Sequence, residues 1–135
     1  MTAVSVVIPA HRLDHWLDEA VASVLDSTGS APEVVVVLNG IADVESRDWM
    51  GSPRLILLHS AESLGPTRAM IRGVQAATGD FISRLDADDR MRPERIAVQL
   101  EYLASRPETP LVGTAVGRIT ERGEPAGAIR MPTGD

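Results

Sequence analysis

Apolar positions along this chain fall into two kinds of run. Val4-Ser5-Val6-Val7-Ile8, ended by Pro9, is short and β-branched and reads as a buried strand. Leu13, Trp16, Leu17, Ala20, Val21, Val24 and Leu25 then recur at i, i+3, i+4, i+7, i+8, i+11 and i+12, the spacing of a one-faced helix. Trp16 falls on this stripe and is assigned to core packing. Gly29 and Pro32 end the segment. Glu33-Val34-Val35-Val36-Val37-Leu38 is unbroken, as in a central parallel strand covered on both faces. Asn39-Gly40 forces a turn, and the polar stretch 42–50 has room for a short helix. Residues 54–58 form a third strand, followed by a loop over 59–65. Pro66 opens a helix that runs to about Ala77, with Met70, Val74 and Ala77 on one face and Thr78-Gly79 closing it. Asp80-Phe81-Ile82-Ser83 reads as a fourth, buried strand. Ile96, Leu100 and Leu103 mark a helix that ends before Pro107. Residues 111–119 read as a fifth strand, with Arg122-Gly123-Glu124 at a hairpin tip and Gly127-Ala128-Ile129 returning from it.

Alternation of strand and helix implies right-handed crossovers onto a mostly parallel sheet flanked by helices, a Rossmann-like α/β fold. In such sheets ligands sit beyond the carboxyl ends of the strands, near the point where strand order reverses. Here those ends are Pro9-Ala10-His11, Asn39-Gly40, His59-Ser60 and Asp86-Ala87-Asp88-Asp89. Polar or special residues stand at all four, which favours a nucleotide pocket over chance loops.

The fourth of these ends carries the densest chemistry. In Arg84-Leu85-Asp86-Ala87-Asp88-Asp89-Arg90, three carboxylates occupy four positions on a tight turn after a strand. Like charges this close disfavour one another's ionised form. A divalent cation removes that cost, and hard ions such as magnesium or manganese take one or two carboxylates together with substrate phosphates. Asp86 and Asp88 are therefore candidate ligands of a Mg2+ or Mn2+ ion bridging to a diphosphate. The competing reading is a solvated acidic turn whose Asp residues cap the helix opened near Pro93.

Composition narrows the partners. The chain has 135 residues, enough for one domain with a proper core. With 13 basic and 19 acidic residues the formal charge is −6, which argues against nucleic acid as a partner. All the basic residues are Arg, a side chain suited to bidentate phosphate contacts. The absence of Cys excludes disulfides, thiol catalysis and zinc-thiolate sites. No apolar run approaches the ~20 residues of a membrane span. No signal peptide is evident, so the cytoplasm is the default location, with the inner face of the membrane as the alternative.

Taken together, Ser5 to His11, Glu33 to Gly40, the loop into Gly65, Gly79 to Asp89, and Pro93-Glu94-Arg95 resemble the first half of a family 2 glycosyltransferase with the GT-A fold, here truncated. The match runs in order over nearly the whole chain. Leu85-Asp86-Ala87-Asp88-Asp89 followed by Pro93-Glu94-Arg95 is its most specific part. The resemblance implies a single nucleotide-diphosphate-sugar-binding domain over 1–135, the N-terminal part of a longer enzyme. It implies a UDP-sugar as the favoured donor and a sugar or lipid-linked acceptor. By the same resemblance Asp88 is the metal ligand, Asp86 contacts the ribose and supports the metal, and Pro9, Ala10, His11 and Ala87 line the donor site, with Ala10 and His11 against the base. Asn39 stands where many members carry an Asp that accepts from uracil; its amide can both accept and donate, which leaves the base identity open. An Arg-Asn pair common in the third helix falls on Met70-Ile71, and Arg68 and Arg72, four apart on one helical face, are candidates to replace its charge. No general base is identified: Glu121 and Glu124 read as solvated hairpin residues. An acceptor half lying outside the chain would leave an apolar face open, through which the chain is expected to self-associate.

Other classes fit less well. Haloacid-dehalogenase-type phosphatases also use Asp-x-Asp, but on the first strand. A calcium loop starting at Asp86 fails because Met91 holds its glycine position. A nicotinamide-binding fingerprint would need glycines after the first strand, where Pro9-Ala10-His11-Arg12 has none. A non-enzymatic nucleotide-binding module remains the alternative to a transferase.

Overall fold

The two runs with the fewest polar interruptions, β1 (Val4–Ala10) and β2 (Glu33–Asn39), form the centre of a four-stranded sheet. The structure, a computed structural model, describes residues 3–133. Two compact units divide it, one through Ala97 and the other from Val98. In the first unit β3 (Leu55–Ser60) pairs with the outer side of β2, and β4 (Phe81–Arg84) with the outer side of β1. The strand order is β3-β2-β1-β4, and every pairing is parallel. Val6 to Ile8 and Val34 to Leu38 are fully buried, as an unbroken apolar strand requires.

Two helices cover the faces. Helix α1 (His15–Leu25) buries Leu17, Ala20, Val21 and Val24, the centre of the predicted stripe. Its first turn is capped by Asp14, whose carboxylate accepts from the Leu17 amide at 3.2 Å. At its other end Arg54 donates to the carbonyls of Leu25 and Pro32, supplying the cation that the helix's own last turn lacks. Helix α2 (Pro66–Ala76) joins β3 to β4 and packs on β1 and β2. Right-handed crossovers place it on the face opposite α1.

Two expectations change in this unit, and a third, the short helix after β2, is given its place. The face of α2 against the sheet is Ala69 and Gly73, with Met70 half-buried and Val74 exposed. The backbone approaches so closely that a Cβ at Gly73 would overlap Val7 Cγ1 and lie 3.1 Å from Val37 Cγ2. Small residues, not large apolar ones, are what that approach admits. β4 is exposed, with Phe81 and Ile82 at 36% and 42%, because it lies at the sheet edge and pairs only with β1. In the polar stretch after β2, a 3₁₀ turn over Asp48–Gly51 carries Trp49 into the core. The Trp49 indole donates to Asp18 at 2.8 Å, and Arg47 donates to Asp18 and to the Leu13 carbonyl, fixing this segment against α1.

At the amino-terminal ends of the strands lies a closed polar network. The Ser5 hydroxyl and the Thr78 amide donate to Glu33 Oε1 at 2.7 and 3.0 Å, the Thr78 hydroxyl donates to Oε2 at 2.7 Å, and the Gly79 amide donates to Ser5 Oγ at 2.9 Å. Burial alone pushes the Glu33 carboxyl up, but the Thr78 and Ser5 hydrogen bonds outweigh it and hold the group below its ordinary 4.5.

Helix α3 (Arg95–Ser105) begins in the first unit and continues into the second. There β5 (Val116–Ile119) and β6 (Pro125–Ile129) form an antiparallel hairpin about the Arg122-Gly123-Glu124 tip. The strand expected over 111–119 is thus confined to its last four residues, and it pairs with β6 rather than extending the parallel sheet. Among the described residues no helix is long and apolar enough to cross a membrane.

Two outcomes follow from this packing. Gly73→Ala gains up to about 1 kcal/mol of helix propensity but forces a clash that costs about 1–3 kcal/mol, so the variant melts below the wild type in a thermal unfolding scan. Glu33→Gln is less stable than wild type at pH 7. Because the folded-state pKa lies below the unfolded one, the Glu33 contribution is complete above about 4.5 and is lost as pH falls through the folded value. Urea unfolding of the two proteins therefore converges as pH is lowered beneath 4.5.

Candidate functional site

In the order β3-β2-β1-β4, successive strands are added on one side of β1 until β4 is placed on the other, so strand order reverses between β1 and β4. A crevice opens beyond the carboxyl ends at such a point, and a cleft of about 400 Å³ lies there. That is within the usual range for small-molecule sites, roughly 300–1,000 Å³.

The cleft has three walls. β1 ends in Pro9, Ala10 and His11, and Trp16 follows from the first turn of α1. Opposite it, the turn after β4 presents Asp86, Ala87 and Asp88, with Arg84 at the end of the strand. Asn39, at the end of β2, and the loop carrying Ser63 and Gly65 close the third side. Of the eight donor-site residues expected from the sequence, seven line this one cleft; Arg68 does not, and stands exposed on the first turn of α2. Arg72 is likewise exposed and outside the lining. The end of β3 is not part of the site either: the His59 imidazole pairs with the Ile41 carbonyl, and the Ser60 carbonyl accepts from the Gly40 and Ile41 amides.

The acidic turn is tight. Leu85 is buried and its amide donates to the Val7 carbonyl, which anchors the turn to β1, and the Asp89 amide returns to the Asp86 carbonyl at 3.1 Å. Arg84 donates from Nε and Nη2 to one oxygen of Asp86, at 3.1 and 2.9 Å. Asp88 lines the cleft, whereas Asp89 does not. Burial pushes the Asp89 carboxyl up, the charges of Asp88 and Asp86 push it further, and the Arg95 guanidinium opposes them. Arg95 in turn is lowered by its burial and raised by Asp89. The turn therefore holds the mutual repulsion that its sequence implies.

A divalent cation fits this donor set in part. Among the described residues no group of three or more His, Cys, Asp or Glu side chains is arranged to hold a metal ion. Asp86 and Asp88 supply two hard oxygen donors on one wall, which is the protein share typical for magnesium or manganese when substrate phosphates complete the shell.

Asn39 is buried and its amide is engaged at both ends. Oδ1 accepts from the Leu64 amide at 2.8 Å, and Nδ2 donates to the Gly65 carbonyl at 3.4 Å. Gly65 itself has φ of 78°, a conformation a side chain would strain, so a backbone turn and a buried amide together fix the loop before α2. One N–H and one acceptor lone pair of Asn39 remain for a ligand.

Of the lining residues that the sequence does not single out as donor-site residues, Trp16 and Arg84 stand beside the two principal walls. Trp16 obeys the helical stripe expected for the core, yet it is only half-buried and lies against His15 with ring centroids 4.2 Å apart and the rings tilted by 40°. Its signal was position: the stripe's first turn lies directly after the β1 rim. Arg84 precedes the acidic turn by two residues, where a strand's alternation sends it to the same side as Asp86.

Residues 5–133 match the family described as Glycosyl transferase family 2. The amylovoran biosynthesis glycosyltransferase AmsE of Erwinia amylovora is 31% identical over 113 residues, which are 80% of this chain and 42% of that protein. The O-antigen biosynthesis glycosyltransferase WbnJ of Escherichia coli is 26% identical over 134 residues, 96% of this chain and 52% of that protein. The chain thus spans about half of these curated relatives, or less. Among solved structures, the mannosyltransferase PcManGT from Pyrobaculum calidifontis, in complex with GDP-Man and Mn2+, superposes with a TM-score of 0.66 at 23% identity over 87% of this chain and 36% of that one. S. aureus TarS 1-349 in complex with UDP-GlcNAc gives a TM-score of 0.66 at 18% identity over 78% of this chain and 33% of that one. These likenesses establish the α/β GT-A fold.

The Asn39 clamp has its own test. Asn39→Ala leaves the half-buried Leu64 amide without its side-chain partner, at a cost of about 1 kcal/mol. Its expected signature is a loss of stability together with faster hydrogen exchange at Leu64 and Gly65. Unchanged exchange at Leu64 is incompatible with the clamp.

Proposed function

The chain belongs to glycosyltransferase family 2, and from that premise we propose that the cleft between β1 and β4 binds a nucleotide-diphosphate sugar, with a Mg2+ or Mn2+ ion, as the donor side of a sugar transfer. The observation that carries this reading is the meeting of Asp86 and Asp88 with His11 and Asn39 across one crevice at the strand-order reversal. Carboxylates stand on one wall, and a flat ring and a two-sided amide stand on the other two. A nucleoside diphosphate has the matching layout, with the phosphates at one end and the base at the other.

In this proposal Asp88 holds the ion and Asp86 meets the ribose while supporting the ion. Once bound, the ion neutralises charge on the leaving diphosphate. Pro9, Ala10 and His11 lie against the base, and Ala87 allows the backbone of the turn close to the donor. Asn39 offers its remaining N–H and lone pair to the base edge. Uracil and guanine each present a ring N–H beside a carbonyl, so both are admissible. TarS was captured with UDP-GlcNAc and PcManGT with GDP-Man. A UDP-sugar is our assignment, because the imidazole of His11 is a small platform suited to a single-ring base. Arg68, one turn into α2, is assigned to reach the diphosphate from outside the present lining. We assign the whole of 1–135 to donor binding, with the acceptor, a sugar or a lipid-linked sugar, met by other surfaces. The exposed apolar edge at Phe81 and Ile82 is the surface we assign to self-association.

The test is calorimetric titration with UDP, dTDP and GDP, each with manganese and with EDTA. UDP is expected to bind in manganese and to weaken strongly in EDTA. Asp88→Asn, which removes a charge but keeps the side chain's size, abolishes the manganese-dependent part and leaves the melting temperature within a few degrees. Equal UDP affinity in manganese and EDTA refutes the metal-dependent reading.

A further inference from the structure

We infer that Arg84 is the resident counter-cation of this cleft: it pairs with Asp86 while the site is empty, and turns to the donor diphosphate when Asp86 is engaged by a cation or ribose. The inference rests on the donor-site reading above and adds a residue that reading does not use.

Four observations carry it. First, the contact is one-sided. Both Arg84 donors go to Oδ1 of Asp86, at 3.1 and 2.9 Å, so the other carboxylate oxygen is left for a ligand. Second, the pair is displaceable. The Arg84 and Asp86 side chains are 67% and 51% exposed, and ion pairs this open are weak. Third, the backbone beneath it is fixed. Arg84 ends β4 in register with Val7, and its carbonyl accepts from Arg95 Nη2 at 3.5 Å, so the side chain can swing while the strand stays. Fourth, of the two guanidiniums that line the cleft, Arg84 is the one paired with the acidic turn: Arg12 pairs with Asp14 at 3.6 Å, and Arg90, outside the lining, donates twice to Glu19.

The chemistry then has a direction. A guanidinium matches a carboxylate and a phosphate with the same planar fork. When Asp86 turns to a divalent ion or to ribose hydroxyls, Arg84 is released into the cleft, and among the described residues no other carboxylate is in ion-pair contact with it. The phosphate oxygens brought in by the donor are its natural acceptors. Arg84 therefore opposes the bare ion and favours the ion together with the diphosphate, two effects of opposite sign at one side chain.

That opposition is the test. Arg84→Met keeps the stem and removes the charge; Arg84→Lys keeps a charge without the fork. Manganese alone is titrated by its free-ion electron paramagnetic resonance signal, UDP in saturating manganese by calorimetry, and folding by melting temperature. Arg84→Met is expected to bind manganese about two- to fivefold more tightly, as loss of a weak exposed competitor allows, and to bind UDP with manganese about tenfold more weakly. Arg84→Lys falls between it and wild type on both. Unchanged values for both ligands overturn the inference. A parallel weakening of both with a lowered melting temperature also overturns it, because it assigns Arg84 to holding the turn's shape. If wild type binds neither manganese nor UDP, the donor-site reading fails first and this inference falls with it.

Discussion

β1 and β2 are closed off from water along most of their length. Strands flank them in the plane and helices cover both faces, so nearly every side chain they carry is apolar. Polar chemistry is thereby driven to the two ends of the strands. Everything else in the first unit answers to this segregation. Gly73 lets α2 lie close enough to seal one face, and Ser5 is polar at the start of β1 only because Glu33 and Gly79 complete its hydrogen bonds. The parallel register then does the rest: it delivers all the carboxyl ends to one rim, and the reversal between β1 and β4 opens that rim into a cleft.

The two rims differ in a way that separates structure from function. At the amino-terminal rim the polar groups satisfy one another. Both oxygens of Glu33 accept hydrogen bonds, and the carboxyl is held in its charged form. At the carboxyl-terminal rim they do not. Burial and the charges of Asp88 and Asp86 push the Asp89 carboxyl up, Arg84 is paired through an exposed contact, and the Asn39 amide makes one hydrogen bond at each end beside the cleft. A set of charged groups left short of partners on one rim, while the opposite rim is fully paired around Glu33, is the physical mark of a candidate ligand site.

Much of this was legible before any coordinates. The unbroken Glu33–Leu38 run reads as a central strand, and the Leu13–Leu25 stripe reads as one helical face, of which Leu17 to Val24 is the buried centre. Seven of the eight expected donor-site residues fall in the cleft because rim position follows from strand order and register, which alternation encodes. What escaped depends on distances that periodicity does not carry. The sheet-facing side of α2 is set by how near the helix comes, and a close approach selects Ala69 and Gly73 over the larger residues beside them. β4 looked buried because it is apolar, but an edge strand in the parallel sheet can be apolar and exposed at once. Arg68 is on the right helix and on its outer side. Asn39 reads from the sequence as a turn residue and a base contact; that its amide also closes the 64–65 loop is a contact between residues 25 and 26 positions apart, invisible to local pattern.

The charge of the cleft decides what it can hold. Its lining carries three carboxylates, Asp14, Asp86 and Asp88, against two guanidiniums, Arg12 and Arg84, which leaves one negative charge inside a protein whose formal charge is already −6. A diphosphate brought alone to such a surface meets repulsion from the wall and from the whole molecule. One divalent ion turns the local sum positive. In the proposed reading it also frees Arg84 from Asp86 and makes that guanidinium available to the ligand. Anion binding in this cleft would then be conditional on the cation for two coupled reasons, neutralisation and release. The second depends on the single exposed ion pair between the end of β4 and the turn that follows it.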